Sequence, residues 1–246
     1  MARTIDSPFK TQGYEIDEPN LSYAIEKVVS NLKKRMSKDP FFRNNFRLER
    51  TPNLMFEDMK SYLQLRGEKE GTNYADIMDN TVLEKSIKPD GGIIWLVDNR
   101  YLDVKYPILI SEVKHQGTNG KRLAKGCKKQ AMGNAIEKLG KYTSMMQSLY
   151  VHDSIAPFVV FCSGFDFRDC DADSDSSMKG KLVSMNDGFM PVNVVYTSAN
   201  SPAGRSPSTI LAREEKFSMK EMMAVLEEVA IDSLEYFKTI ADDIAA

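Results

Sequence analysis

Histidine is nearly absent from these 246 residues: only His115 and His152 occur. A zinc centre needs about four ligands at paired spacings, and the three cysteines, Cys127, Cys162 and Cys170, offer no such pairing. Zinc chemistry and a disulfide framework are both excluded, and unpaired thiols suit a reducing cytosol. No apolar run approaches the length of a membrane span, and the opening MARTIDSPFK has no apolar stretch. The segment Gly117 to Lys121 is two residues too short for the phosphate loop G-x-x-x-x-G-K-S/T, so no nucleotide-driven step is indicated. Net charge is only −2, so a basic surface, if present, is local. These absences leave a cytoplasmic protein with a polar arm over residues 1–19 and one large domain over 20–246.

The informative stretch is Ser86 to Gln116, SIKPDGGIIWLVDNRYLDVKYPILISEVKHQ. A tight turn at Pro89-Asp90-Gly91-Gly92 leads into an apolar strand from Ile93 to Val97. After the polar break Asp98-Asn99-Arg100, a second strand runs from about Tyr106 to Lys114. Strand alternation puts Glu112 and Lys114 on one face and Val113 on the other. If the two strands pair as a hairpin, Asp90 meets that face. Two carboxylates and an ammonium at one end of a sheet suit a hard divalent cation such as Mg²⁺, which prefers oxygen ligands and can assist attack on a phosphodiester. The competing reading of the same spacing is a turn followed by a half-exposed strand with an ordinary ion pair.

Around this stretch the periodicity predicts helices and strands in alternation. Ala24, Ile25, Val28, Val29, Leu32 and Met36 form one apolar stripe of a helix starting near Asn20 or Ser22. A second helix, capped by Asn53, buries Leu54, Met55, Met59, Tyr62 and Leu63, and a weaker third covers Tyr74 to Glu84. The FFRNNFRLER cluster between the first two is ambiguous. From Glu112 to Lys141 there are eight basic residues against two acidic ones. Phosphate contact accounts for this local excess, with Lys128 and Lys129 at its centre in a glycine- and lysine-rich loop. A helix follows from about Gln130 to Leu149, opening with Gly133, Asn134, Ala135, Glu137 and Lys138. Asn134 is a side chain suited to pairing with adenine. Pro157 to Ser163 is a strand buried on both faces, the aspartates from Asp169 to Asp175 form an exposed acidic loop, and Met190 to Tyr196 is a further strand. Ser198 to Thr209 is a loop, and a long amphipathic helix runs from about Ser218 to Ala241. The order is α/β: a central mixed β-sheet flanked by α-helices.

The motifs SIKPDGGI, EVKHQG, GNAIEK and PFVVFCSGFDF, in that order, resemble the EcoRI-like type II restriction endonucleases of the PD-(D/E)XK nuclease superfamily. The resemblance covers residues 86–167 most strongly. It implies a restriction-endonuclease-like core, a homodimer on double-stranded DNA, and Mg²⁺-dependent cleavage of a palindrome containing AATT. It also implies a cognate DNA methyltransferase acting on the same site, within a bacterial or archaeal cytoplasm. Carried onto this chain, Asp90, Glu112 and the Val113 carbonyl hold the metal, and Lys114 positions or activates the attacking water. Gly133, Asn134, Ala135 and Glu137 match the base-reading segment, whereas Lys138 stands where the family has arginine and supplies a point charge in place of a bidentate fork. His115 and Gln116 lie beside the site, touching DNA or supporting the strand. Lys179 and Lys181 are the nearest basic candidates for the outer base pairs. Two other readings stay open on residues alone: a structure-specific repair or recombination nuclease, and a non-catalytic DNA-binding protein.

Overall fold

A computed structural model describes residues 14–70, 86–101, 104–129, 138–143, 145–146, 150, 153, 155, 157–167, 192–196 and 208–245. Among these, six strands form one mixed sheet in the order β1-β4-β5-β6-β8-β7. The strands are β1 (Phe46–Thr51), β4 (Gly92–Asp98), β5 (Lys105–His115), β6 (Phe158–Ser163), β7 (Val192–Tyr196) and β8 (Ser208–Arg213). A separate two-stranded ribbon joins β2 (Leu54–Met55) to β3 (Ser86–Ile87). Only β4 runs against its neighbours: it is antiparallel to β1 and β5, while β5, β6, β8 and β7 pair in parallel. The expected α/β architecture is present.

Burial follows from the composition of the central strands. Every residue of β4 and β6 is buried, as is β5 from Tyr106 to Val113, which is why these segments read as continuous apolar runs. Helices α1 (Tyr14–Lys38), α3 (Phe56–Glu70) and α5 (Met219–Ala245) pack against β5. Leu21, Ala24, Ile25, Val28 and Leu32 of α1 and Leu226, Ala230, Leu234 and Phe237 of α5 are fully buried. The rings of Tyr62 (α3), Tyr106 (β5) and Phe237 (α5) meet with centroids 5.4–5.7 Å apart. Burying rings of this size supplies a large share of core energy, about 0.5–1.5 kcal/mol per pair beyond area. A capping box opens α5: Glu221 N–H donates to Ser218 Oγ while Ser218 N–H donates to Glu221 Oε2.

Several elements differ from the sequence expectation. Helix α1 begins at Tyr14, earlier than Asn20, so the end of the expected arm is helical. The ambiguous cluster resolves into a short helix α2 (Pro40–Asn45), capped by Asp39, and the edge strand β1. The expected cap at Asn53 precedes β2 instead, and α3 starts at Phe56. Part of the expected basic loop is helical as α4 (Thr118–Ala124), and Gly120 lets it lie against the Phe165 ring, where a Cβ would come within 2.8 Å. The expected loop to Thr209 ends in β8, whose Ile210, Leu211 and Ala212 are buried between β6 and β7. Residues 138–143 and 145–146 of the expected helix from Gln130 are helical. The weak helix at Tyr74 to Glu84, the acidic loop, Lys179 and Lys181 lie outside the described residues.

Candidate active site

Two glycines bring α1, β1 and the hairpin together at one point. A Cβ on Gly91 would sit 2.0 Å from Ser111 Oγ and 2.5 Å from Ile25 Cδ1, so only glycine lets α1 pack over the turn. Gly92 has φ +74°, and a Cβ there would lie 2.6 Å from the Thr51 carbonyl of β1. The turn closes through Gly92 N–H donating to Pro89 O at 3.0 Å, and Gly91 N–H donates to Ser111 O at 2.9 Å. Pairing of β4 with β5 ends at Gly92 and Ser111. Glu112 to His115 therefore run past the end of β4, paired on their other edge with Val160 to Ser163 of β6.

Asp90 closes over that open edge. Its backbone N–H donates to Glu112 Oε2 at 2.6 Å, and its Oδ2 accepts from Val113 N–H at 3.2 Å. Lys114 Nζ bridges the two acids, lying 3.5 Å from Asp90 Oδ2 and hydrogen-bonded to Glu112 Oε1. Because a strand residue's N–H and C=O point to the same edge, the Val113 carbonyl also faces the Asp90 side and is not consumed by β6. Glu112 is 2% exposed. Burial, together with the nearby Asp90 charge and against the pull of Lys114, raises its carboxyl to about 7. Burial lowers the Lys114 ammonium, but Glu112 and Asp90 more than offset it and the net shift is upward. Lys114 therefore stays protonated and acts as a donor. Among the described residues no three histidine, cysteine, aspartate or glutamate side chains form a metal-ligating group. The donor set on hand is two carboxylates and a main-chain carbonyl, all hard oxygens, with negative charge in excess over positive; that set fits a hard divalent ion with coordinated waters.

His115 and Gln116 follow Lys114 directly in the chain. His115 Nδ1 lies 3.1 Å from Ser163 Oγ, Gln116 N–H donates to Ser163 O, and Gln116 O accepts from Asp166 N–H. Both residues thus tie β5 to β6, and Gln116 also ties it to the short 3-10 turn Phe165–Phe167. Lys128 and Lys129 are exposed, and the Lys128 carbonyl accepts from Arg122 Nε at 2.9 Å. Lys138 is exposed on its helical segment, while Gly133, Asn134, Ala135 and Glu137 lie outside the described residues.

Sequence reasoning missed three residues close to Asp90: Glu18, Arg50 and Lys88 line a cavity of about 520 Å³ with it. It also missed Tyr142, whose hydroxyl donates to the Lys88 carbonyl at 3.3 Å. Lys88 could have been singled out, since it stands two residues before Asp90. Glu18 and Arg50 reach the site only through the folding of α1 and β1 onto the turn.

A family model described as "Restriction endonuclease EcoRI" matches residues 17–245. The chain belongs to the EcoRI restriction endonuclease family. The type II restriction enzyme EcoRI of Escherichia coli is 36% identical over 94 residues, which cover 35% of this chain and 33% of that protein. The type II restriction enzyme RsrI of Cereibacter sphaeroides is 36% identical over 90 residues, covering 33% of this chain and 32% of its own length. These matches span about one third of each curated relative. No helix among the described residues is long and apolar enough to cross a membrane.

Proposed function

We propose that this member of the EcoRI family is a type II restriction endonuclease, hydrolysing a phosphodiester in each strand of double-stranded DNA at a palindrome containing AATT. The observation that carries this reading is the convergence of Asp90, Glu112 and Lys114 on the open end of β5. Asp90, Glu112 and the Val113 carbonyl would hold Mg²⁺, which when bound supplies charge neutralisation at phosphorus and acidifies a coordinated water. Lys114, kept as an ammonium by its two acidic neighbours, orients the attacking water through Nζ and stabilises charge growing on the phosphoryl oxygens. The buried position of the trio keeps bulk water from weakening these interactions.

Asn134 reads adenine, with Gly133 and Ala135 permitting close approach, and Glu137 with Lys138 links recognition in one subunit to cutting in the other. Lys128 and Lys129 contact phosphates. A two-fold symmetric homodimer matches a two-fold symmetric site, and a cognate methyltransferase protects the host copy of that site in the same cytoplasm.

Incubating the purified protein with plasmid and Mg²⁺ tests the reading. Discrete fragments that vanish in EDTA are expected. A smear, or nicks confined to junctions, would instead mark a structure-specific repair nuclease. Shifted but intact plasmid would mark a binding protein without catalysis.

A further inference from the structure

The cavity beside Asp90 is lined by neither Glu112 nor Lys114. Its walls are Glu18 of α1, Arg50, Thr51 and Pro52 at the end of β1, and Lys88 to Gly92 of the turn. Asp90 alone belongs to both the cavity and the trio. Two cations therefore stand one turn away from the proposed cleavage centre. Among the described residues, neither Arg50 nor Lys88 forms an ion pair. Arg50 Nη2 donates to the Gly91 carbonyl at 3.1 Å, with Ser22 Oγ at 3.5 Å. That anchor fixes the guanidinium against the turn and leaves its Nε and Nη1 hydrogens for another acceptor.

The occupant can be argued from what else the cavity offers. The turn's own amides are spent: Asp90 N–H on Glu112, Gly91 N–H on Ser111 and Gly92 N–H on Pro89. An anion entering here must be held by side chains, and Arg50 and Lys88 are the cationic ones. A metal ion is the poorer fit, since the lining sets two cations, Arg50 and Lys88, against Glu18 and an Asp90 that the proposed metal beside Glu112 already claims. A volume of about 520 Å³ admits a phosphodiester with its sugar.

We propose that Arg50 and Lys88 form a subsite for the backbone phosphodiester adjacent to the scissile one on the strand being cut. Resting on the nuclease reading above, the subsite sets the register of the strand over Asp90. Arg50 donates to the phosphate through the N–H groups its anchor leaves over, and Lys88 adds an unanchored charge at the rim. A strand held there presents the next phosphate to the trio.

The test uses the full-length protein, wild type and the variants Lys88→Gln and Arg50→Gln, with duplexes carrying a single uncharged methylphosphonate at successive positions around the cut. Binding is measured in Ca²⁺ over a range of salt, and cleavage in Mg²⁺. For the wild type, neutralising the adjacent phosphate is expected to weaken binding by about tenfold, and in Arg50→Gln the same replacement should cause little further loss. The slope of log affinity against log salt should fall by about 0.9 in each variant. The Lys88 side chain is exposed and forms no ion pair among the described residues, so its variant folds even if Arg50→Gln loosens the turn. Undiminished loss from methylphosphonate at every position in both variants overturns the subsite while leaving the nuclease reading intact. So does a loss of Mg²⁺ affinity in Glu18→Gln without any phosphate coupling, which would make the cavity a cation site. Absence of DNA binding and cleavage by the wild type overturns both.

Discussion

The β4–β5 hairpin carries a buried acidic group at each end, and the two ends are built differently. At one end Asp98 is fully buried and accepts from the Arg100 Nε at 3.0 Å, Nη2 at 2.8 Å and backbone N–H at 2.8 Å. The guanidinium also lies 5.4 Å from the Phe46 ring centroid and 5.8 Å from that of Phe41. One negative charge meets one positive fork, and every strong acceptor position is used. At the other end Asp90 and Glu112 share the single ammonium of Lys114, and Glu112 is raised to about 7, chiefly by burial. The first end is a closed account of charge. The second has an acceptor surplus at an open strand edge, the arrangement expected where a cation and a phosphate are to be admitted.

Substitutions at the two ends should separate their roles. Lys114→Ala is expected to reduce cleavage by roughly a hundredfold to a thousandfold with specific binding retained, which a gel-shift assay beside a plasmid digest would show. Cleavage within a few-fold of wild type would make Lys114 a structural partner like Arg100. Asp98→Asn should do the reverse: unfolding in urea should show a loss of about 3 kcal/mol, as a buried pair is broken, while cutting by the folded fraction stays near normal.

A smaller effect follows from pH. The ordinary glutamate value is near 4.5 and the folded one is about 7, so between these values the folded state keeps a proton that the unfolded chain has released. Stability of the metal-free protein then falls as pH rises through that window. Thermal melts should show this decline in the wild type but not in Glu112→Gln, which becomes the more stable of the two above pH 7. Adding Mg²⁺ should restore the wild type at high pH and leave Glu112→Gln unchanged. Equal pH profiles would argue against an uncompensated Glu112 charge.

The smallest expected change lies away from both ends. Arg213, at the end of β8, donates to Glu221 Oε1 at 2.8 Å and to Oε2 at 2.9 Å, and packs 4.0 Å from the Phe217 ring centroid. Hydrogen bonds from Arg213 hold the Glu221 carboxyl down to about 2. The lowered value makes this stabilisation complete above pH 4.5 and lost as pH falls through about 2. Since Glu221 is 41% exposed, Glu221→Gln should cost only about 1 kcal/mol near neutrality and nothing at the acid limit.

How far the sequence reveals this comparison depends on the kind of force involved. The Pro-Asp-Gly-Gly turn, the apolar run of β4 and the alternation at Glu112 to Lys114 are local signals, and the hairpin they imply brings the trio together. Strand β1 was hidden because it is an edge strand with alternating charges, FRLERT, stabilised by pairing with β4 and by Trp95 Nε1 donating to Thr51 Oγ1 at 2.8 Å. Strand β8 offers only a few apolar residues after a Ser/Pro-rich stretch, and its place between β6 and β7 is a long-range choice. Arg50 and Glu18 reach the turn from segments forty or more positions away, about the least legible kind of contact. The base-reading role expected of Gly133, Asn134, Ala135, Glu137 and Lys138 rests on the family resemblance alone, because spacing does not carry it.

The central claim is that Asp90 serves the chemistry and not merely the fold. It is tested most directly by comparing Asp90→Asn with wild type on one plasmid in Mg²⁺, with sequence-specific binding measured in parallel. Intact plasmid, with specific binding retained and the wild type yielding discrete fragments, is the result predicted here. Fragments released by Asp90→Asn at the wild-type rate would contradict it.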